Sequence, residues 1–284
     1  MSRASSTKWY TAYPCDDPPL MRIVCFPHAG GNASGYHSWA GGLPGWCQVC
    51  AIQLPGRASR FTEASTTNFV ELVPLLARAV GTLLDIPVAF FGHSLGAILA
   101  FEVSRELRRT RSVMPQRLIV AGRRAPHLAD TDAPRHDCDD ADLVAYLCEN
   151  EGTPAEFLAN KELLKVVLPV LRADLKLLKS HQFTEEEPLS CPILVYGGTA
   201  DDESACGRLR AWRCHTTARF TLEMLPGGHF FVHSEKRRLV CSISGELQRA
   251  VVDRAAPALS TNPPDVAGVT ALPVVSPSCG SNET

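Results

Sequence analysis

The sequence predicts an α/β protein with a mostly parallel central sheet flanked by helices. Three observations carry that expectation: short apolar runs of strand length, longer amphipathic stretches between them, and a glycine-flanked serine where one such run meets the next helix. With 284 residues and 45% hydrophobic composition the chain can bury one large core, so a single domain over residues 1–253 is expected.

Candidate strands fall, in order, at residues 22–26, 48–53, 88–91, 117–121, 193–196 and 220–224. A helix is expected over residues 68–84, where Asn68 and Glu71 form a capping pair and Phe69, Leu72, Leu75, Leu76 and Val80 form an apolar stripe. A second helix, over residues 95–109, follows the serine directly, and Arg108 and Arg109 at its end offset the helix dipole. From about residue 125 to 183 the alternation stops, and helical patterns at 140–149 and 161–179 occur with no strand between them. This is an insertion, expected to form a helical lid over the site. Beyond residue 253 the chain turns to Pro, Ala, Ser, Thr and Gly, so residues 254–284 are expected to be a disordered tail.

A formal net charge of -2 offers no electrostatic case for nucleic acid as a partner. No apolar run of transmembrane length occurs, and the first residues lack a signal peptide's apolar stretch, so the expected location is cytoplasmic with no membrane association. The eleven cysteines are scattered among apolar neighbours and read as small buried hydrophobes. Cys47 and Cys50 have redox or half-zinc-site spacing, but a second ligand pair is missing and the segment alternates like a strand; no metal site is expected.

The chemistry starts at Gly92-His93-Ser94-Leu95-Gly96, between the run Val88-Ala89-Phe90-Phe91 and a helix-forming segment. A strand that ends in a turn too sharp for bulky neighbours, with a helix opening behind a serine, is a nucleophile elbow. Gly92 and Gly96 fit positions where the turn presses against neighbouring backbone. Ser94 needs a base, and a histidine oriented by a carboxylate is the usual one; in this strand-turn-helix setting both lie downstream at strand ends. His229, in the glycine turn after the last strand candidate, is the best placed of the nine histidines. His233 falls on the helix that follows, and His127, His136, His181 and His215 read as solvated. The acid comes from Asp201-Asp202-Glu203 after the strand at 193–196, with Asp201 preferred and Asp202 next. Oxyanion donors are expected from the amide of Leu95 and, in the early loop Pro27-His28-Ala29-Gly30-Gly31, from Ala29.

Five segments together resemble the stand-alone type II thioesterases of polyketide and nonribosomal peptide synthesis: Phe26-Pro27-His28-Ala29-Gly30-Gly31, Gln53-Leu54-Pro55-Gly56-Arg57, Gly92 to Ala97, Tyr196-Gly197-Gly198 through Asp201, and Pro226 to Phe231. The resemblance runs from about residue 21 to 251. It implies an α/β-hydrolase fold with a helical lid and hydrolysis of acyl thioesters held on the phosphopantetheine arm of an acyl or peptidyl carrier protein. It also implies a triad of Ser94, Asp201 and His229 with the amides of Ala29 and Leu95, and no metal or diffusible cofactor. Many relatives have proline after the acid, where this chain has Asp202. A carrier presents an acidic face, so a basic patch at the pocket mouth is expected, with Arg57, Arg60, Arg123 and Arg124 as its candidates. The competing functions are a general carboxylesterase or acyltransferase with the same triad, and a binding module without turnover.

Overall fold

The computed structural model describes residues 8–129, 137–149, 160–201 and 205–259. In chain order the strands and helices are β1 (Tyr10–Ala12), β2 (Met21–Phe26), β3 (Cys47–Ile52), α1 (Phe69–Val80), β4 (Val88–His93), α2 (Leu95–Arg111), β5 (Leu118–Ala121), α3 (Asp140–Glu149) and α4 (Lys161–Lys179). They continue with β6 (Ile193–Gly198), α5 (Cys206–Arg210), β7 (Phe220–Leu225), α6 (Phe231–Ser234) and α7 (Lys236–Leu259). The expected strands and the helices at 140–149 and 161–179 all form. β1 goes beyond the expectation: three residues are too short to show a period, and only pairing against β3 makes them a strand.

The strands make one seven-stranded sheet in the order β1-β3-β2-β4-β5-β6-β7, antiparallel only between β1 and β3. From β2 the chain first winds outward to β3 and then crosses back to β4 on the other side of β2. The direction of winding therefore reverses between β2 and β4, and the crevice at their carboxyl ends is where such sheets bind ligands. Phe26 at the end of β2 is in register with Gly92 of β4, so the loop after β2 and the serine turn after β4 leave the sheet side by side.

Both faces of the sheet are buried, and alternate residues feed two cores. Val24, Phe26, Phe90, Val120 and Val195 pack under α1 and α2, while Ile23, Cys25, Phe91, Ile119 and Leu194 pack against α7 and the 3-10 segment Ala33–Gly42. Cys47 belongs to the second core and Cys50 to the first, so the two thiols face opposite sides of the sheet and cannot act as a pair. Burial pushes both thiols up to about 12.

Asn68 caps α1 by accepting from the Val70 N–H at 2.9 Å. Leu75 of the expected stripe is exposed, because the buried arc is set by Phe69, Leu72, Val73, Leu76 and Val80 and position 75 lies off it. The insertion helices α3 and α4 meet through Leu143, Leu168 and Leu171, and Ala29 from the loop after β2 packs on this small cluster. The last helix runs through Leu259, past the boundary expected at residue 253, and residues 260–284 lie outside the described part. Among the described residues no helix is long and apolar enough to cross a membrane.

Candidate active site

Ser94 occupies the junction of β4 and α2 with φ 54° and ψ −117°, a conformation that a side-chain-bearing residue adopts only under constraint. The constraint is visible: its N–H donates to the Ala121 carbonyl at 2.9 Å, and its own carbonyl accepts from Ala97 at 3.0 Å. A Cβ at Gly96 would lie 2.0 Å from the Phe26 carbonyl oxygen, and one at Gly92 would lie 2.1 Å from the Gly96 oxygen. Glycine at both positions is thus a condition for bringing the serine turn against the loop after β2.

Asp201 and His229 come from the loops at the ends of β6 and β7. The loops after β6 and β7 are stitched together by Thr199 N–H to Leu225 O at 2.8 Å and Ala200 N–H to Gly227 O at 2.9 Å. They touch so closely that a Cβ at Gly198 would fall 2.4 Å from the Gly228 oxygen. Across this seam His229 Nδ1 lies 3.0 Å from Asp201 Oδ2, with both side chains buried. A carboxylate only accepts here, so Nδ1 carries the proton and Nε2 is the basic nitrogen of the neutral ring. Asp202 lies outside the described residues.

His93, beside Ser94, anchors the histidine loop: its Nε2 is 2.9 Å from the His229 carbonyl oxygen, which only accepts, so Nε2 is the donor. Burial, and then the charge of nearby His229, holds its pKa well below the ordinary value. The ring is therefore neutral, and among the described residues its buried Nδ1 has no hydrogen-bond partner. His28 packs edge-on to His93 with ring centroids 5.4 Å apart, and burial followed by the charges of His233 and His229 lowers its pKa to about 3. The uncharged His93 ring thus lies 5.1 Å from the His229 ring, with His28 packed against His93. Neither was singled out from sequence, because their neutrality comes from burial.

The loop carrying Ala29 leaves β2 beside this turn and closes on itself through Gly31 N–H to His28 O at 2.9 Å. Leu95 is the first residue of α2 and is fully buried.

The arginines require a correction. Arg57 and Arg60 do not form a surface patch. Arg57 is 6% exposed and forms a two-pronged ion pair with buried Asp174 of α4, Nη2 donating to Oδ1 at 2.6 Å. Arg60 pairs with Glu63 at 2.6 Å and lies 3.9 Å over the Trp9 ring. Arg123 and Arg124 are also buried, but they line a cavity of about 340 Å³ together with Ile98, His127, Lys179 and His181.

Of the histidines read as solvated, His127 is exposed as expected, whereas His215 and His181 are corrected in the same way. His215 is buried 2.7 Å from His127 Nδ1, with its pKa lowered to about 4 first by burial and then by His127, and Cys214 Sγ lies 3.8 Å from that same nitrogen. His181 Nε2 sits 2.9 Å from Glu102 Oε1. His233 is on α6, and His136 lies outside the described residues.

Comparison with known proteins agrees with this geometry. Residues 21–246 match the family model described as Thioesterase domain. The chain is 38% identical over 254 residues to the protein named linear gramicidin dehydrogenase LgrE of Brevibacillus parabrevis, covering 88% of this chain and 97% of that one. It is 36% identical to thioesterase PikA5 of Streptomyces venezuelae, covering 84% and 83%. Among solved structures, the type II thioesterase BorB from the borrelidin biosynthetic cluster superposes with a TM-score of 0.80 at 33% identity, over 86% of this chain and 100% of that one. A serine turn on a parallel sheet, a family match over most of the length and a close structural counterpart agree: the chain belongs to the thioesterase domain family and is a thioester hydrolase of the type II kind.

Proposed function

We propose that this enzyme hydrolyses acyl thioesters from the phosphopantetheine arm of carrier proteins in nonribosomal peptide or polyketide synthesis, through a Ser94-His229-Asp201 triad. The observation that carries the reading is the buried His229–Asp201 hydrogen bond of 3.0 Å in a loop held at 2.9 Å by His93, the residue before a serine at φ 54°. His229 Nε2 takes the Ser94 proton as Oγ attacks the thioester carbon. The amides of Ala29 and Leu95 hold the oxyanion, an interaction of about 3 to 4 kcal/mol per donor in such sites. Collapse breaks the C–S bond, and the imidazolium protonates the departing thiolate. Water, deprotonated by the same nitrogen, then attacks the acyl-enzyme, and the second collapse returns the proton to Ser94. Neutral His93 and His28 favour this cycle, because neither ring adds a cation beside the imidazolium that forms on His229.

The carrier-facing part of the proposal rests on Arg123 and Arg124. They line the cavity beside Ile98, one turn of α2 beyond the serine; both are buried, so the part of a carrier that would enter here is its slender phosphate-bearing arm and not its surface.

The test loads a carrier with an acyl-phosphopantetheine and follows its intact mass. Wild type strips the acyl group, and Ser94→Ala leaves it in place, slower by at least about 10³-fold. Cleavage of simple oxygen esters with the loaded carrier untouched would give the site to a general esterase, and inertness toward both would make it a binding module.

A further inference from the structure

The insertion is tied to the oxyanion loop by charge. Asp174, on the buried side of α4, is 1% exposed. Its Oδ2 accepts from the Gly30 N–H at 2.7 Å, and its Oδ1 accepts from Arg57 Nη2 at 2.6 Å. Arg57 Nη1 reaches the same carboxylate and also donates to the Gly31 carbonyl at 3.2 Å. The pair thus grips the peptide groups immediately after Ala29. Gln53 continues the grip by accepting from Ala33 N–H at 3.2 Å while its amide donates to the Arg57 carbonyl at 3.3 Å.

We infer that Asp174 and Arg57 are positioning residues for catalysis: their buried ion pair lets the lid helix α4 hold the Ala29 amide in its oxyanion-binding direction. This rests on the thioester-hydrolase reading above and adds to it the part that sets the loop. Preorganised donors accelerate acyl transfer only while their direction is held, and a loop of small residues has few side chains of its own to hold it. Leu171, on the same helix, belongs to the insertion cluster that Ala29 touches, so the apolar contact and the ion pair act on the same short segment. A rearrangement of α4 that moves Asp174 loosens the oxyanion site, which couples lid position to turnover.

A stability role alone predicts something different. A buried ion pair replaced by apolar residues of similar volume often leaves a protein as stable as before, whereas breaking one half strands a buried charge. The experiment therefore compares Asp174→Asn with the double variant Arg57→Met/Asp174→Leu. Three readouts are taken: thermal unfolding, kcat and KM on acyl-loaded carrier, and the rate at which an alkyl fluorophosphonate labels Ser94, followed by intact mass. In that labelling Ser94 Oγ bonds to phosphorus, fluoride leaves with the pair of the P–F bond, the serine proton goes to His229, and the phosphoryl oxygen occupies the oxyanion site. The expected result is a double variant that melts within a few degrees of wild type yet labels and turns over about ten-fold or more slowly, with KM changed by less than about three-fold.

A stable double variant with wild-type labelling and kcat overturns the proposal. If the double variant fails to fold, Asp174→Asn decides alone, and wild-type labelling by it overturns the proposal. Should wild type be labelled but leave loaded carrier intact, the carrier-substrate reading fails, and labelling rates still decide the positioning role. A wild type that resists the reagent overturns both.

Discussion

At the scale of single residues, the site depends on which proton sits on which nitrogen. Asp201 accepts from His229 Nδ1 at 3.0 Å, and in the proposed triad this leaves Nε2 as the base. Asp201→Asn keeps the shape but offers an amide N–H that favours the opposite tautomer. The expected outcome is a loss of about 10⁴ in kcat with little change in folding, as for the equivalent change in a serine protease triad. Asp202→Asn, assayed by the same release of acyl groups from carrier, should stay within about three-fold of wild type. A larger loss in the Asp202 variant than in the Asp201 variant would reverse the assignment.

At the scale of elements, α1 shows how a cap is read and what it connects. Asn68 accepts from Val70 N–H, and its side-chain amide donates to Glu71 Oε1 at 3.2 Å, a side-chain pair rather than the reciprocal capping box that the two residue types suggest in sequence. The next residue's N–H, that of Phe69, donates to Ser180 Oγ at 3.1 Å, so the start of α1 is also tied to the residue that ends α4. Removing the cap with Asn68→Ala should cost about 1 kcal/mol in urea unfolding. The Ser180 tie is left in place, so kcat should remain within about two-fold of wild type. A drop in kcat without a change in stability would mean that α1 acts on the site through α4.

At the scale of the whole molecule, buried neutral histidines make stability fall with acid. His28 and His215 titrate near 6.5 when unfolded, but folding lowers them to about 3 and about 4. Between the folded and unfolded values the unfolded chain binds more protons, so stability rises with pH. This contribution is complete above about pH 6.5 and is lost as pH falls toward the folded values, each group adding a slope of about 1.4 kcal/mol per pH unit. His215→Gln removes one such group far from Ser94 in sequence. Urea unfolding at pH 6.0, 5.5 and 5.0 should show a shallower dependence in that variant by roughly this amount. Identical slopes for variant and wild type would mean that His215 charges freely in the folded state.

Much of the fold and the site was legible because it depends on local sterics and chain order. The strand runs, the cap at Asn68, the glycines around Ser94 and the downstream order of Asp201 and His229 all reflect short-range rules, and the structure brings Asp201 and His229 together across touching loops. The position of the Ala29 loop was legible for a similar reason: it follows β2, and β2 is the strand paired with β4 beside the elbow. Arg57 was misplaced because an arginine after a turn looks like a surface cation until its partner is seen, and Asp174 lies 117 residues away. His28, His93 and His215 carry no sequence mark of neutrality, since desolvation depends on what the finished fold packs around a ring. The sequence by itself determined the sheet, the elbow and the chemical types at its rim. Only the tertiary structure decided which charges are buried, what they hold and how the lid helix reaches the site, because burial and long-range pairing are properties of packing and not of neighbours along the chain.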